Sequence, residues 1–188
     1  MVSAKQRRRG GEAFSGEGYL GLYTFLDYQL KREYKSVELL EHLIAGIGYR
    51  VTFHVSRMDS CWYATKNIGV HLSNNVPAAN LTNLLNLEPQ VKYEGDTFLT
   101  DIHGWTRIEG SFTATGGERY LTIGNFDNDL NTDTLFIGGG VPPSNSPEYW
   151  NLSYYYVDAV SVIPDSIYLG AGDLEEQEPT FNLYPNPN

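Results

Sequence analysis

Apolar and polar residues alternate one for one through the middle of the chain, and this period of two constrains the fold more than any other feature. Tyr49, Val51, Phe53 and Val55 are interleaved with Arg50, Thr52, His54 and Ser56, and Ile108, Gly110 and Phe112 with Arg107, Glu109, Ser111 and Thr113. Successive side chains of a strand point to opposite faces, so such runs predict strands with one buried and one wet face. Helical periodicity is almost absent. Further strands are predicted over 19–25, 34–40, 68–72, 120–126 and 154–163, between turn clusters such as Ala45-Gly46-Ile47-Gly48 and Thr115-Gly116-Gly117. Short antiparallel strands rich in Tyr, Val, Thr and Phe predict an all-β fold, an antiparallel β-sandwich of the jelly-roll kind.

Composition excludes several classes. Of 188 residues one is cysteine, so Cys61 closes no intramolecular disulfide, no Cys-based zinc site is available, and the thiol reads as free and functionless. The apolar runs fall far short of the roughly 20 residues that cross a bilayer, so no membrane-spanning helix is expected. The net charge is −10, and from Tyr120 onward there are acids but no Lys or Arg. Nucleic-acid binding draws on cationic patches, and the one basic run, Arg7-Arg8-Arg9, has neither aromatic nor periodic company, so nucleic acid is not an expected partner.

Four segments follow. Residues 1–12 hold no apolar stretch and read as a disordered or truncated N-terminal piece, residues 13–163 as the sandwich, and residues 164–180 as an acidic linker too polar to order itself. Residues 181–188, Phe-Asn-Leu-Tyr-Pro-Asn-Pro-Asn, close the chain. Between Asn74 and Gln90 a stretch rich in Asn, Leu and Pro reads as a long loop.

The closing segment resembles the first strand of the C-terminal sorting domain used by the type IX secretion system, which implies export to the cell surface and a chain cut at both ends. The body resembles the galactose-binding-like, carbohydrate-binding-module-like jelly rolls that accompany such tails. The resemblance is carried by Ala13–Tyr23, Tyr63–Val70, Gly104–Phe112, Tyr120–Phe126 and Tyr154–Val162. Those modules end in a Tyr-Ile-Asp-Asp-Val-Ser-Leu type strand, whose second Asp is Ala159 here. They bind, and they seldom catalyse.

Several residues are candidates for chemistry. Tyr156, Asp158, Val160 and Val162 share a parity, so valines facing the core would turn Asp158 inward, where a carboxylate needs a cation, hydrogen-bond donors or a proton. Lys or Arg from earlier strands, backbone N–H groups and a metal are all open as partners. The resemblance implies a structural Ca²⁺ held by Asp158 with Ser15 and Glu17. Asp127, Asp129, Asn131 and Asp133 stand at positions 1, 3, 5 and 7 of an EF-hand-like run, but Thr132 replaces its Gly and Gly138 its closing Glu, so a solvated hairpin loop is expected.

Sugar binding needs exposed rings beside polar side chains. Trp62 and Tyr63, with Lys66 and Asn67, lie in an expected 59–67 loop; Tyr149 and Trp150 lie in a Pro-rich 142–151 loop. Trp105 is expected to begin a strand and pack. His54 is expected on a wet face as a lone surface imidazole. No nucleophile elbow, phosphate loop or His-Glu-x-x-His spacing is present, and no paired acids share a strand. The reading is a non-catalytic extracellular module, secreted or on the outer-membrane surface, binding a glycan or other cell-surface ligand beside neighbouring domains. The alternatives are a structural or protein-adhesion spacer with no sugar site and, behind both, a glycoside hydrolase.

Overall fold

A computed structural model describes residues 12–27, 31–78, 84–138 and 151–165. Tyr149 and Trp150, nearly all of the expected linker and the whole of 181–188 lie outside the described residues. The described residues form ten strands and no helix: β1 (Leu20–Leu26), β2 (Lys35–Glu38), β3 (Gly48–Arg57), β4 (Tyr63–Thr65), β5 (Gly69–Ser73), β6 (Val91–Lys92), β7 (Thr106–Thr113), β8 (Tyr120–Gly124), β9 (Thr134–Phe136) and β10 (Leu152–Pro164).

Two four-stranded sheets face each other, one ordered β1-β10-β3-β7 and the other β2-β8-β5-β6, while β4 and β9 form a separate two-stranded ribbon. Every pairing is antiparallel. The alternation in β3 does what it predicts, because Tyr49, Val51, Phe53 and Val55 all enter the core. They meet Val70 and Leu72 of β5, Leu121 and Ile123 of β8, and Tyr155, Val157, Val160 and Val162 of β10. Each fully buried Val, Ile or Phe contributes about 1.5–3 kcal/mol, so this layer dominates stability. Gly110 supplies a close approach: a Cβ there would sit 2.8 Å from a Val91 methyl, so a side chain at this position of β7 would displace β6.

Three elements escape the period-two reading. β4, β6 and β9 are two or three residues long, too short to display a period, and β4 converts the expected 59–67 loop into a strand that begins at Tyr63. The strand expected over 34–40 shrinks to β2, leaving Leu40 at 81% exposure. The one expected over 120–126 stops at Gly124, because Asn125 turns inward and donates from Nδ2 to the Thr24 carbonyl (2.8 Å).

The last strand corrects the face assignment of Asp158. Asp158 pairs with His54 and the next pairing joins Ser161 to Thr52, so two residues of β10 oppose one of β3. Ala159 holds φ at +47° in this bulge. The extra residue flips the parity. Val157 faces the core before the bulge and Val160 and Val162 face it afterwards, which puts Tyr156 and Asp158 on the outer face.

Candidate functional site

That outer face is nevertheless covered. Phe14 and Ser15 donate their backbone N–H groups to Asp158 Oδ2 (2.8 and 3.1 Å), and the Ala159 N–H donates to Oδ1 (2.7 Å). Asp158 is 6% exposed. The ring of Phe14 lies flat on His54, and Tyr19 meets both Trp105 and Tyr156 edge-on. His54 is therefore buried under the segment before β1, where alternation alone predicted a wet surface. Its Nδ1 has no hydrogen-bond partner, which suits a neutral ring. Burial first, then the positive field of Arg107, hold its pKa below the ordinary value against the pull of Asp158.

Of the residues expected to hold calcium, the structure brings Asp158 together with the backbone of Ser15, while Glu17 is exposed on the same segment. All three atoms bonded to the Asp158 carboxylate are N–H donors, and a cation would need oxygens in their place. This donor set fits a buried carboxylate relieved by backbone dipoles better than it fits an ion. Among the described residues no three His, Cys, Asp or Glu side chains converge as a metal site. Ala159, standing where the resembling pattern has Asp, occupies a left-handed conformation that Asp tolerates more readily.

The Asp127–Asp133 segment surrounds a cation of its own. β8 and β9 belong to different sheets, so the segment is a crossing between them and not the hairpin expected. The guanidinium of Arg32, whose side chain has no exposure, donates to Asp129 Oδ1 (2.6 Å), Thr132 Oγ1 (3.2 Å) and the Asp127 carbonyl (3.4 Å). Thr132 is buried, accepts from Asn125 Nδ2 (3.0 Å) and donates to the Asn128 carbonyl (2.8 Å). Nothing local to the sequence ties Arg32 to residues about a hundred positions away.

Asn67 fastens the same segment to β4. Its Nδ2 donates to Asp127 Oδ2 (2.7 Å) and the Asn131 carbonyl (3.1 Å), and its Oδ1 accepts from the Asp133 N–H (2.8 Å). Lys66 bridges to Asp133 at 3.2 Å. The two polar side chains expected to meet sugar hydroxyls are thus engaged within the protein.

Trp62 and Tyr63 stand at the head of β4, and their rings converge on a residue sequence reasoning missed. Phe136 of β9 meets Tyr63 edge-on at 5.5 Å and Trp62 at 6.2 Å, and Tyr63 continues to Phe25 at 5.3 Å. Tyr63 and Phe136 are direct cross-strand partners. Burial, and the charge and hydrogen bond of Asp27, raise the Tyr63 pKa, so the hydroxyl stays protonated. Phe136 is 62% exposed, with Leu135 and Ile137 each at 40% and Leu130 on the preceding turn at 96%. Three consecutive apolar side chains left in water on and just after one short strand form a continuous exposed patch. Only the triplet Leu135-Phe136-Ile137 hinted at it, and such a run reads equally well as core.

The ribbon is held to the main body from below. The buried Tyr155 hydroxyl accepts from the Thr65 N–H (2.9 Å) and faces the carbonyls of Thr65 (3.0 Å) and Leu99 (2.8 Å). Burial pushes its pKa up to about 12, so it is a neutral hydroxyl with one proton to give. Cys61 lies beneath the same end with Leu26 and Leu152, its thiol also pushed up to about 12, chiefly by burial, and hence unreactive.

Fold and site together define an antiparallel β-sandwich carrying an exposed aromatic ribbon at one end. No protein-family model matches the chain, and no curated protein does. Among solved structures it is similar to the K3 cleaved adhesin domain of Lys-gingipain from Porphyromonas gingivalis, at 11% identity over 82% of this chain and 84% of that one, with a TM-score of 0.37. No helix among the described residues is long and apolar enough to cross a membrane.

Proposed function

We propose that this chain is a non-catalytic adhesion module of a secreted or surface-anchored protein, a jelly-roll domain that binds its partner through the β4–β9 ribbon. The observation that carries the reading is the exposure of Leu135, Phe136 and Ile137 beside Trp62 and Tyr63. Apolar clusters of this kind on a soluble domain mark interaction sites. The jelly-roll assignment is supported by strand order: β1, β3, β7 and β10 lie in one sheet, and β2, β5, β6 and β8 in the other. Export is part of the proposal and rests on the sorting-like tail; a calcium ion on Asp158 rests on the resemblance alone and is the alternative to the backbone donors that cover this carboxylate.

A polypeptide partner is favoured over a glycan. Sugar recognition combines stacking rings with free polar side chains, and Asn67 and Lys66 are already bonded to the Asp127–Asp133 segment. A glycan remains the second reading, favoured by the exposed face of Phe136 beside the rings of Trp62 and Tyr63. The test presents the labelled domain to a glycan array and to immobilised cell-surface protein fractions, with Phe136→Ser as control. Binding to protein that Phe136→Ser abolishes supports the first reading, binding to sugar the second. No binding to either surface overturns both in favour of a spacer.

A further inference from the structure

We infer that the outer edge of β9 accepts an extended polypeptide strand bearing Lys or Arg side chains, which joins the ribbon by backbone pairing. This rests on reading the ribbon as the binding face. The Ile137 N–H donates to the Trp62 carbonyl (2.8 Å), so residues 135 and 137 direct their backbone groups at β4 and alternation turns those of Thr134 and Phe136 outward. β4 agrees from its own side: Thr65, opposite Thr134, sends its N–H to the Tyr155 hydroxyl and its carbonyl to the Leu99 N–H, away from β9. Among the described residues no strand pairs with β9 beyond β4.

Sheet edges are normally protected by cover, charge or proline. β1 has cover: the Glu33 N–H donates to the Tyr23 carbonyl (3.2 Å), Glu33 Oε2 accepts from the Tyr23 N–H (3.1 Å), and Asn125 binds the Thr24 carbonyl. β7 carries the ion pair of Arg107 and Glu109 along its exposed side. Thr134-Leu135-Phe136 has neither charge nor proline, yet it is exposed. An uncovered apolar edge is the docking geometry of strand addition.

Charge selects the incoming strand. Asp27 beside Tyr63, Asp59 in the turn before β4, and Asp127, Asp129 and Asp133 before β9 form an acidic rim. Of the cations there, Arg32 and Lys66 are bridged to Asp129 and Asp133 and Arg57 is held by the carbonyls of Met58 and Cys61, which leaves Asp27, Asp59 and Asp127 without an ion pair among the described residues. A second copy of this chain, itself at −10, and a polyanionic glycan would both be repelled. A neutral sugar offers no row of N–H and C=O groups for the edge. A basic strand satisfies both features.

The test uses the whole chain and short synthetic peptides followed by amide NMR. An alternating Val-Lys peptide is expected to bind and to slow hydrogen exchange at Thr134 and Phe136. An alternating Val-Glu peptide is expected not to bind, and N-methylation along one edge of the Val-Lys peptide to weaken it by about tenfold or more, since only backbone pairing is removed. Equal binding of the methylated peptide, or unchanged exchange at both amides, overturns the inference. Thr134→Pro, which removes an outward N–H and leaves the β4 ladder intact, repeats the test from the protein side. If Phe136→Ser abolishes adhesion while no peptide pairs, strand addition fails and the ribbon reading stands. If Phe136→Ser adheres like wild type, the ribbon reading fails.

Discussion

The ring of Phe14 lies on the imidazole of His54 at a centroid distance of 3.7 Å with 17° between the planes, while the Phe14 N–H reaches Asp158, the cross-strand partner of His54. One residue of the N-terminal segment thus closes both a buried histidine and a buried carboxylate. The consequence is a pH dependence. His54 has a folded pKa below its unfolded 6.5, so the unfolded chain binds the proton more readily. The contribution is complete above pH 6.5 and is lost as pH falls towards the folded value. Urea midpoints are expected to drop between pH 7 and pH 5 by more in wild type than in His54→Phe. Parallel curves would show that His54 does not titrate with unfolding.

Asp158 should stabilise the fold without an ion. Asp158→Ala leaves the N–H groups of Phe14, Ser15 and Ala159 without their acceptor, at a cost of about 1–3 kcal/mol. Thermal melts in EDTA and in excess calcium are expected to coincide for wild type. A calcium-dependent rise in Tm that disappears in Asp158→Ala would instead restore the ion site that resemblance implies, because a ligand bound only by the folded state must stabilise it.

Ala159→Gly is expected to raise stability by about 1 kcal/mol, since glycine lacks the Cβ that strains the left-handed position at the bulge. Chemical denaturation measures it directly. A loss of more than about 1 kcal/mol would mean that the methyl packs usefully, as ordinary core truncations do.

Removing the internal cation should loosen the crossing from β8 to β9. Arg32→Met is expected to cost about 2–4 kcal/mol, because Thr132 and the Asp127 carbonyl lose a buried donor. Amides from Asp127 to Thr132 should lose exchange protection. Protection unchanged there would show that Asn67 and Asn125 hold the segment by themselves.

Tyr155→Phe deletes one oxygen and leaves the Thr65 N–H buried without an acceptor, an expected loss of about 1–3 kcal/mol. Exchange at β4 and β9 should accelerate before that of β3. Uniform acceleration would place the ribbon in the same cooperative unit as the sheets.

Much of the sandwich was legible because burial imposes a period of two wherever a strand is long enough to show it, as β3 and β7 are. β4, β6 and β9 were not legible at two or three residues each, and the site rests on two of them. Trp62 and Tyr63 were found by residue type, since rings near polar side chains stand out in any sequence. Phe136 was not, because exposure cannot be read from an apolar triplet that would suit a core equally well. Asn67 and Lys66 were chosen for free polar groups that the folded chain had already engaged.

The sequence by itself determined an all-β body, its inward-facing residues and the absence of a cysteine framework, since each follows from local pattern or composition. Tertiary structure alone decided that Asp158 meets backbone donors, that Arg32 fills an acidic crossing, and that β9 presents an uncovered apolar edge. Those outcomes depend on which distant segments pack together. A single inserted residue at Ala159 was enough to turn Asp158 to the outer face while the two valines that follow it kept the core face that alternation had assigned them.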